Sequence, residues 1–156
     1  MHQLPERIET EFLYEAHVDL APPEAIGASP FGARNIFIVT GGTFEGPRLR
    51  GTFRPGGGDW FLTLANGAGE LDVRGTMQTH DGALVLVTYH GVLDASPEVT
   101  RRVFAREDVS PGEYYFRTTP RFETGDARYA WLNKTVAVAT GRFGPNWVEY
   151  RVFAVL

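Results

Sequence analysis

Trp60-Phe-Leu-Thr-Leu-Ala-Asn-Gly-Ala-Gly-Glu-Leu-Asp-Val-Arg-Gly-Thr-Met-Gln-Thr-His-Asp-Gly-Ala-Leu-Val-Leu-Val-Thr-Tyr-His-Gly-Val-Leu93 carries two tight-turn signals, Asn66-Gly67 and Asp81-Gly82, between apolar runs. Both dipeptides reach φ > 0 easily and match the twist of a two-residue hairpin. The spacing predicts strands over 60–64, 70–79 and 84–93, joined as an antiparallel meander. Trp60, Leu62 and Leu64 share one face of the first strand and are read as its inner face.

The same reading extends in both directions. Residues 9–20 alternate, with Phe12, Tyr14, Ala16 and Val18 on one face and Glu11, Glu15, His17 and Asp19 on the other, as a half-buried strand does. Ala25–Phe31, marked by Gly, Ser and Pro, reads as a loop. Ile36–Val39 is a continuous apolar run, read as a strand buried on both faces that stops at Gly41-Gly42. Further strands are expected over 48–54, 113–119, 134–140 and 147–155. Gly56–Gly58 make a reversal; they match neither phosphate-loop pattern and have no following Lys-Ser or Lys-Thr. Ser96-Pro97-Glu98 has a helix cap followed by proline at the first position, predicting a short helix to about Ala105.

About nine short strands joined by turns point to a single all-β domain over residues 1–156. The architecture expected is one antiparallel, calycin/lipocalin-like β-barrel of about eight to ten strands with one short helix, because closure removes exposed sheet edges. At 156 residues the chain buries roughly 70% of its unfolded surface. No apolar run approaches the ~20 residues of a membrane span, and the N-terminus has no signal-peptide core. No membrane partner and a cytoplasmic location are expected. A net charge of −4 without a basic tract argues against nucleic acid. With no cysteine, disulfides, thiolate nucleophiles and Cys-type zinc sites are excluded. His2, His17, His80 and His90 have no metal-site spacing, and no Gly-x-Ser-x-Gly elbow is present. No metal or other cofactor is expected.

Tyr114–Asn133 packs aromatic and charged residues too densely for an ordinary connector. It is expected to close one end of the barrel and lend side chains to a pocket there. On the strand after Asn66-Gly67, Glu70, Asp72 and Arg74 share one face. That face either meets water as ordinary surface ion pairs or lines the lumen. Tyr115 with Arg117, Thr88 with His90 (Tyr89 opposite), and Glu149 with Arg151 form comparable rows. If such rows face inward, Asp72, or Glu123 on the closing segment, would act as base, and Arg74 or Arg117 would hold an oxyanion. Trp60, Phe116, Phe122, Tyr129 and Trp131 would suit a flat hydrophobic ligand.

Gly-Gly-Thr-Phe-Glu-Gly-Pro-Arg-Leu-Arg-Gly (41–51), Gly-Gly-Asp-Trp (57–60), Leu-Asp-Val-Arg (71–74), Tyr-Phe-Arg-Thr-Thr-Pro-Arg-Phe-Glu-Thr-Gly (115–125) and Tyr-Ala-Trp-Leu-Asn (129–133) resemble the DUF3237 family, also called UPF0311. The resemblance covers nearly the whole chain and implies a calycin-like antiparallel barrel. It implies no particular reaction. It draws attention to Asp59, Trp60, Asp72, Arg74, Arg117, Phe122, Glu123, Trp131 and Asn133, which lie within the matching motifs.

Three functions are open at this point. The first is a cofactor-free isomerase, lyase/hydratase or cyclase. Asp72, Arg74, Arg117 and Glu123 would be catalytic, and Asp59, Trp60, Tyr89, Phe116, Phe122, Trp131 and Asn133 would bind a small hydrophobic or aromatic hydroxylated or carbonyl compound. The second is a lipocalin-like carrier without turnover. The third is a structural module whose aromatics are buried in a homo-oligomer.

Overall fold

A computed structural model describes residues 2–156. Its strands are β1 (Thr10–Leu20), β2 (Glu24–Ser29), β3 (Gly32–Glu45), β4 (Arg50–Phe53), β5 (Gly58–Thr63), β6 (Gly69–Thr79), β7 (Leu84–Asp94), β8 (Tyr115–Thr118), β9 (Arg121–Glu123), β10 (Ala137–Gly144) and β11 (Trp147–Val155). One α-helix, α1 (Pro97–Phe104), and two 3₁₀ segments, Pro111–Glu113 and Ala127–Lys134, complete the chain.

Pairing runs β6-β5-β3-β1-β11-β10-β8-β7 and returns to β6, so eight strands close an antiparallel barrel. The remaining three strands extend members of that ring. β4 and β5 both pair with β3 and β6, one beyond the other, with a break at 54–57. β8 and β9 likewise follow β7 on either side of Thr119-Pro120. β1 and β2 lie along the same edge of β3 on either side of Ala21–Pro23. Proline cannot donate to a ladder, and it stands in all three of these breaks, as Pro55, Pro120 and Pro22-Pro23.

The interior follows from register. β6 alternates buried Gly69, Leu71, Val73, Gly75, Met77 and Thr79 with more exposed residues. Across β7, Val73 pairs with Tyr89, Gly75 with Val87 and Met77 with Val85. Side chains opposite one another in an antiparallel pair share a face, so these positions line the lumen. Tyr14, Ala16, Val18, Phe44, Phe116, Phe122, Ala139, Tyr150 and Val152 complete one buried cluster.

One end is filled. Ala127–Lys134 crosses it with Tyr129 and Leu132 buried. The Tyr129 hydroxyl donates to Asp81 in the β6–β7 turn at 2.9 Å, and Arg48 of the β3–β4 turn stacks on Trp131 at 3.6 Å. Asn133 fixes the segment to β9: its Oδ1 accepts from Thr124 N–H at 2.8 Å, and its Nδ2 donates to the Thr124 carbonyl at 2.9 Å. Tyr114–Asn133 therefore closes an end, as its aromatic density predicts.

Several boundaries differ from the sequence expectation. β3 passes through Gly41-Gly42 and ends at Glu45, because Gly42 adopts φ 138° where any Cβ would collide with the His17 carbonyl oxygen. Most of Ala25–Phe31, expected as loop, falls in β2, a strand exposed along its whole length. A β-bulge between Phe12 and Tyr14 shifts the register there, so Leu13 is buried and Phe12 is only half-buried, beneath the Arg151 guanidinium. The helix matches: Ser96 caps it by accepting from Val99 N–H at 3.1 Å, with Pro97 first. Among the described residues no helix is long and apolar enough to cross a membrane.

Candidate functional site

The opposite end is less tightly covered. Inward residues toward it keep partial exposure: Phe37, Asp59, Phe61, Tyr89, Leu93, Tyr114 and Phe143 are all half-buried. Two aromatic groups flank the opening. Phe37 and Phe61 meet edge to face at 6.1 Å on β3 and β5. Phe143 takes Tyr114 at 5.2 Å and Phe104 of α1 at 6.3 Å on the other side. The helix, started by Ser96-Pro97, thus brings one aromatic ring to the rim.

Asp59 lies within this apolar mouth. It pairs with Phe37 on one side and Val73 on the other, and Val73 pairs with Tyr89. Asp59 and Tyr89 therefore face the lumen two strands apart, with Cα atoms about 10 Å from each other. The β5–β6 ladder opens beside Asp59: it pairs Gly58-Asp59 and Leu62-Thr63 with β6 but omits Trp60 and Phe61. Two side chains fill the gap. Asp59 Oδ1 accepts from Asp72 N–H at 3.0 Å, and Arg34 donates to the Trp60 carbonyl at 2.7 Å.

Three tyrosines stand deeper in the same lumen. Tyr89 meets Tyr150 edge to face at 5.3 Å. Tyr150 also packs on Phe116 at 5.5 Å, and Tyr14 packs between Phe44 and Phe122 at 5.8 and 6.2 Å. Burial pushes the Asp59 carboxyl up to about 7. The Asp72 amide opposes that rise, the Asp72 carboxylate adds to it, and Arg34 opposes it weakly. Burial likewise raises Tyr14, Tyr89 and Tyr150 well above the ordinary phenol range. The site is thus a carboxyl that changes protonation near neutrality beside phenols that stay protonated. Such a set can accept a proton and donate hydrogen bonds to a developing oxyanion.

The sequence-predicted residues divide by face. Asp59, Tyr89, Phe116 and Phe122 point inward, the last two buried in the lumen wall. Asp72 pairs with His90, and Arg74 with Thr88, on the outer face; Asp72 Oδ1 lies 3.9 Å from His90 Nδ1. Arg74, Arg117 and Glu123 are exposed, and Arg117 lies over the Tyr115 ring at 5.0 Å. The charged rows therefore meet water, the first of the two placements left open by the sequence, and the catalytic roles that Asp72, Arg74, Arg117 and Glu123 would have had in the lumen are not met. Charged groups in a row stay in water unless partners offset their desolvation. Trp60 is also on the outer face, since Asp59 and Phe61 take the inner one. Trp131 and Asn133 belong to the closed end, whereas the half-buried inward residues stand at the other one.

Tyr14, Tyr150, Phe37, Phe61 and Phe143 are site residues that sequence reasoning missed. The signal was available for the tyrosines: both stand in the apolar phase of alternating strands, where a hydroxyl is out of pattern.

A family model described as "Protein of unknown function (DUF3237)" matches residues 8–155. The chain belongs to this family. It is 32% identical over 149 residues to the UPF0311 protein RPA1785 of Rhodopseudomonas palustris, covering 96% of this chain and 97% of the relative. The crystal structure of that family member superposes with a TM-score of 0.90, covering 97% of this chain and 100% of the other. A β-barrel-like protein of Acinetobacter baumannii AYE is 36% identical with a TM-score of 0.86, covering 99% of this chain and 100% of the other. An enzyme from Penicillium herquei is 25% identical with a TM-score of 0.73, and each chain is covered in full.

Proposed function

We propose that this member of the DUF3237 family is a cofactor-independent acid/base enzyme of the isomerase, lyase/hydratase or cyclase type. Its substrate class is a small hydroxylated aromatic or carbonyl compound held in the open mouth of the barrel. The observation that carries this reading is Asp59, a half-buried carboxyl on the lumen face between Phe37 and Val73, two strands from Tyr89.

The chemistry follows from the two kinds of group. Ionised Asp59 removes a proton from a carbon beside the carbonyl or from a hydroxyl, and the electron pair left behind moves onto the substrate oxygen. Tyr89, with Tyr150 behind it, donates a hydrogen bond to that oxygen. Asp59 then returns the proton at a second atom, so no electrons are exchanged with a further reagent. A base whose pKa lies near the working pH is about half ionised there and still strong enough to act. The oxyanion role expected for Arg74 or Arg117 passes to the phenol hydroxyls. Phe37, Phe61, Leu93 and Phe143 supply the apolar surface that orients a ring. Likeness over its full length to an enzyme from Penicillium herquei supports turnover in this fold.

The test is solvent-deuterium exchange into a panel of phenolic ketones and hydroxy-ketones, followed by mass spectrometry. Wild-type protein is expected to exchange at least one member, with a rate rising through about pH 7. Asp59→Asn is expected to lower that rate about 10²–10⁴-fold. Binding without exchange or product for any member would support the lipocalin-like carrier instead, as would equal rates for wild type and Asp59→Asn.

A further inference from the structure

The outer wall of the barrel carries a groove that the acid/base reading does not use. β8 and β10 pair through only two rungs, Thr118 with Ala139 and Arg117 with Thr140. Past Thr118 the chain turns away at Thr119-Pro120 toward β9, which pairs with β7 alone. The wall dips there into a groove of about 740 Å³. Gly91, Thr118 and Ala139, whose side-chain positions face inward, form its floor. Val92, Tyr115 and Val138 stand around it, 42, 53 and 38% exposed, with Phe153 half-buried beside Val138. The opposite wall, on β1, β3 and β4, turns Glu15, Asp19, Thr43, Glu45, Arg50 and Thr52 to water. Exposed apolar side chains are therefore a local property of this groove, as they are of ligand sites.

A second groove, of about 680 Å³, meets the first at Arg117 and Thr140. Thr140 has Arg117 opposite it on β8, Arg151 opposite it on β11, and Arg142 two residues along its own strand. Three arginines thus start within about 7 Å of one threonine. Arg151 pairs with Glu15 at 2.9 Å, and Arg142 pairs with Glu149. Glu45, the remaining acid of the second groove, lies two strands beyond Arg151. Among the described residues Arg117 has no carboxylate partner; it donates to the Phe116 carbonyl at 2.8 Å and lies over the Tyr115 ring. A guanidinium has five N–H groups, so most of those on Arg117 are free for a ligand. Glu70 and His90 stand at the other end of the first groove, with Glu70 two strands from Arg117, about 10 Å between Cα atoms. An occupant therefore carries its negative charge at the Arg117 end and apolar surface between.

We infer that this outer groove is a binding site for a small amphipathic carboxylate, an aromatic acid of one or two rings. The ring lies over the floor among Val92, Tyr115, Val138 and Phe153. The carboxylate accepts a forked pair of hydrogen bonds from Arg117, with the Thr140 hydroxyl as a third donor. The site is separate from the lumen and does not depend on the chemistry of Asp59. It gives Arg117 a binding role on the outer face in place of the lumen role that its row does not fill.

The probes are 2-naphthoate and its neutral isostere 2-naphthamide, titrated by calorimetry at low salt. Wild-type protein is expected to bind the carboxylate about tenfold more tightly than the amide. Arg117→Gln should erase that advantage while Tm stays within about 2 °C, since the side chain is exposed. Val138→Asn should weaken both probes by a similar factor. Asp59→Asn should bind 2-naphthoate as wild type does. No binding of 2-naphthoate by wild type overturns the inference, as does equal affinity for the two probes. An advantage kept in Arg117→Gln, or unchanged affinities in Val138→Asn, overturns it too. So does affinity lost in Asp59→Asn and kept in Arg117→Gln, which would put the probe in the lumen. Deuterium exchange reads the lumen chemistry by itself, so either reading can fail while the other holds.

Discussion

Replacing Asp59 by Asn should stabilise the protein by an amount that grows above about pH 4 and levels off above about pH 7. Unfolded, this carboxyl ionises near 3.8; folded, it does so at about 7. Between those values the native state binds the extra proton, so stability falls as pH rises through the window. At about 1.4 kcal/mol per pH unit the full cost of ionising it in place approaches roughly 4 kcal/mol. Water reaches the mouth, and screening reduces the figure to roughly 2 kcal/mol. Asn is neutral throughout and keeps an Oδ1 to accept from Asp72 N–H. The variant should therefore match wild type at pH 4 and exceed it by about 2 kcal/mol, or about 4–8 °C in Tm, at pH 8.5. Groups held below their usual range, such as Asp126 at about 2 beside Arg128 and Glu113 beside Arg102, lose stability as pH falls. They are common to both proteins and cancel in the difference. Urea titrations at half-unit pH steps would measure it. A gap independent of pH, or a variant weaker at pH 8.5, would refute the assignment of Asp59 as a buried, late-ionising carboxyl.

Three further outcomes are expected. Ser96→Ala removes the α1 cap and should cost about 1 kcal/mol, with faster amide exchange confined to Pro97–Phe104. Asn133→Ala strips both hydrogen bonds from Thr124 and should cost about 2 kcal/mol, loosening Ala127–Lys134 by hydrogen exchange while leaving ligand response at the other mouth unchanged. His17 lies between Glu149 at 2.9 Å and Asp19 at 3.1 Å, and the Glu149 hydrogen bond is the main cause of its raised pKa. Glu149→Gln should lower the His17 midpoint in an NMR titration. The stability that charged His17 supplies is present below pH 6.5 and is lost as pH rises through its folded pKa.

What could be read directly from sequence was local. Asn66-Gly67, Asp81-Gly82 and Ser96-Pro97 each encode a turn or cap within a few residues, and each appears where expected. The alternation of 10–20 and 147–155 also gives the correct inner faces for Tyr14, Ala16, Val18, Val148, Tyr150 and Val152. The phase of β5 was hidden because its inner face carries Asp59 while its outer face carries Trp60 and Leu62. An apolar count alone inverts such a strand. Leu62 is buried on the outer side by the start of β3, where a Cβ on Gly32 would lie 3.1 Å from a Leu62 methyl group. The closing segment was recognisable from its aromatic density. Which end is the less covered depends on strand tilt and on where α1 sets Phe104, and neither is written in local pattern.

The missing rungs beside Asp59 make the site observable before any substrate is known. The Asp72 amide proton ends on a carboxyl oxygen instead of a carbonyl, so its chemical shift follows the charge of that carboxyl. In a two-dimensional amide spectrum this single peak should move as Asp59 titrates, and move again when a compound displaces or engages the carboxyl. The barrel wall thus contains its own reporter, and a library can be screened by watching one backbone resonance with no assay for product at all.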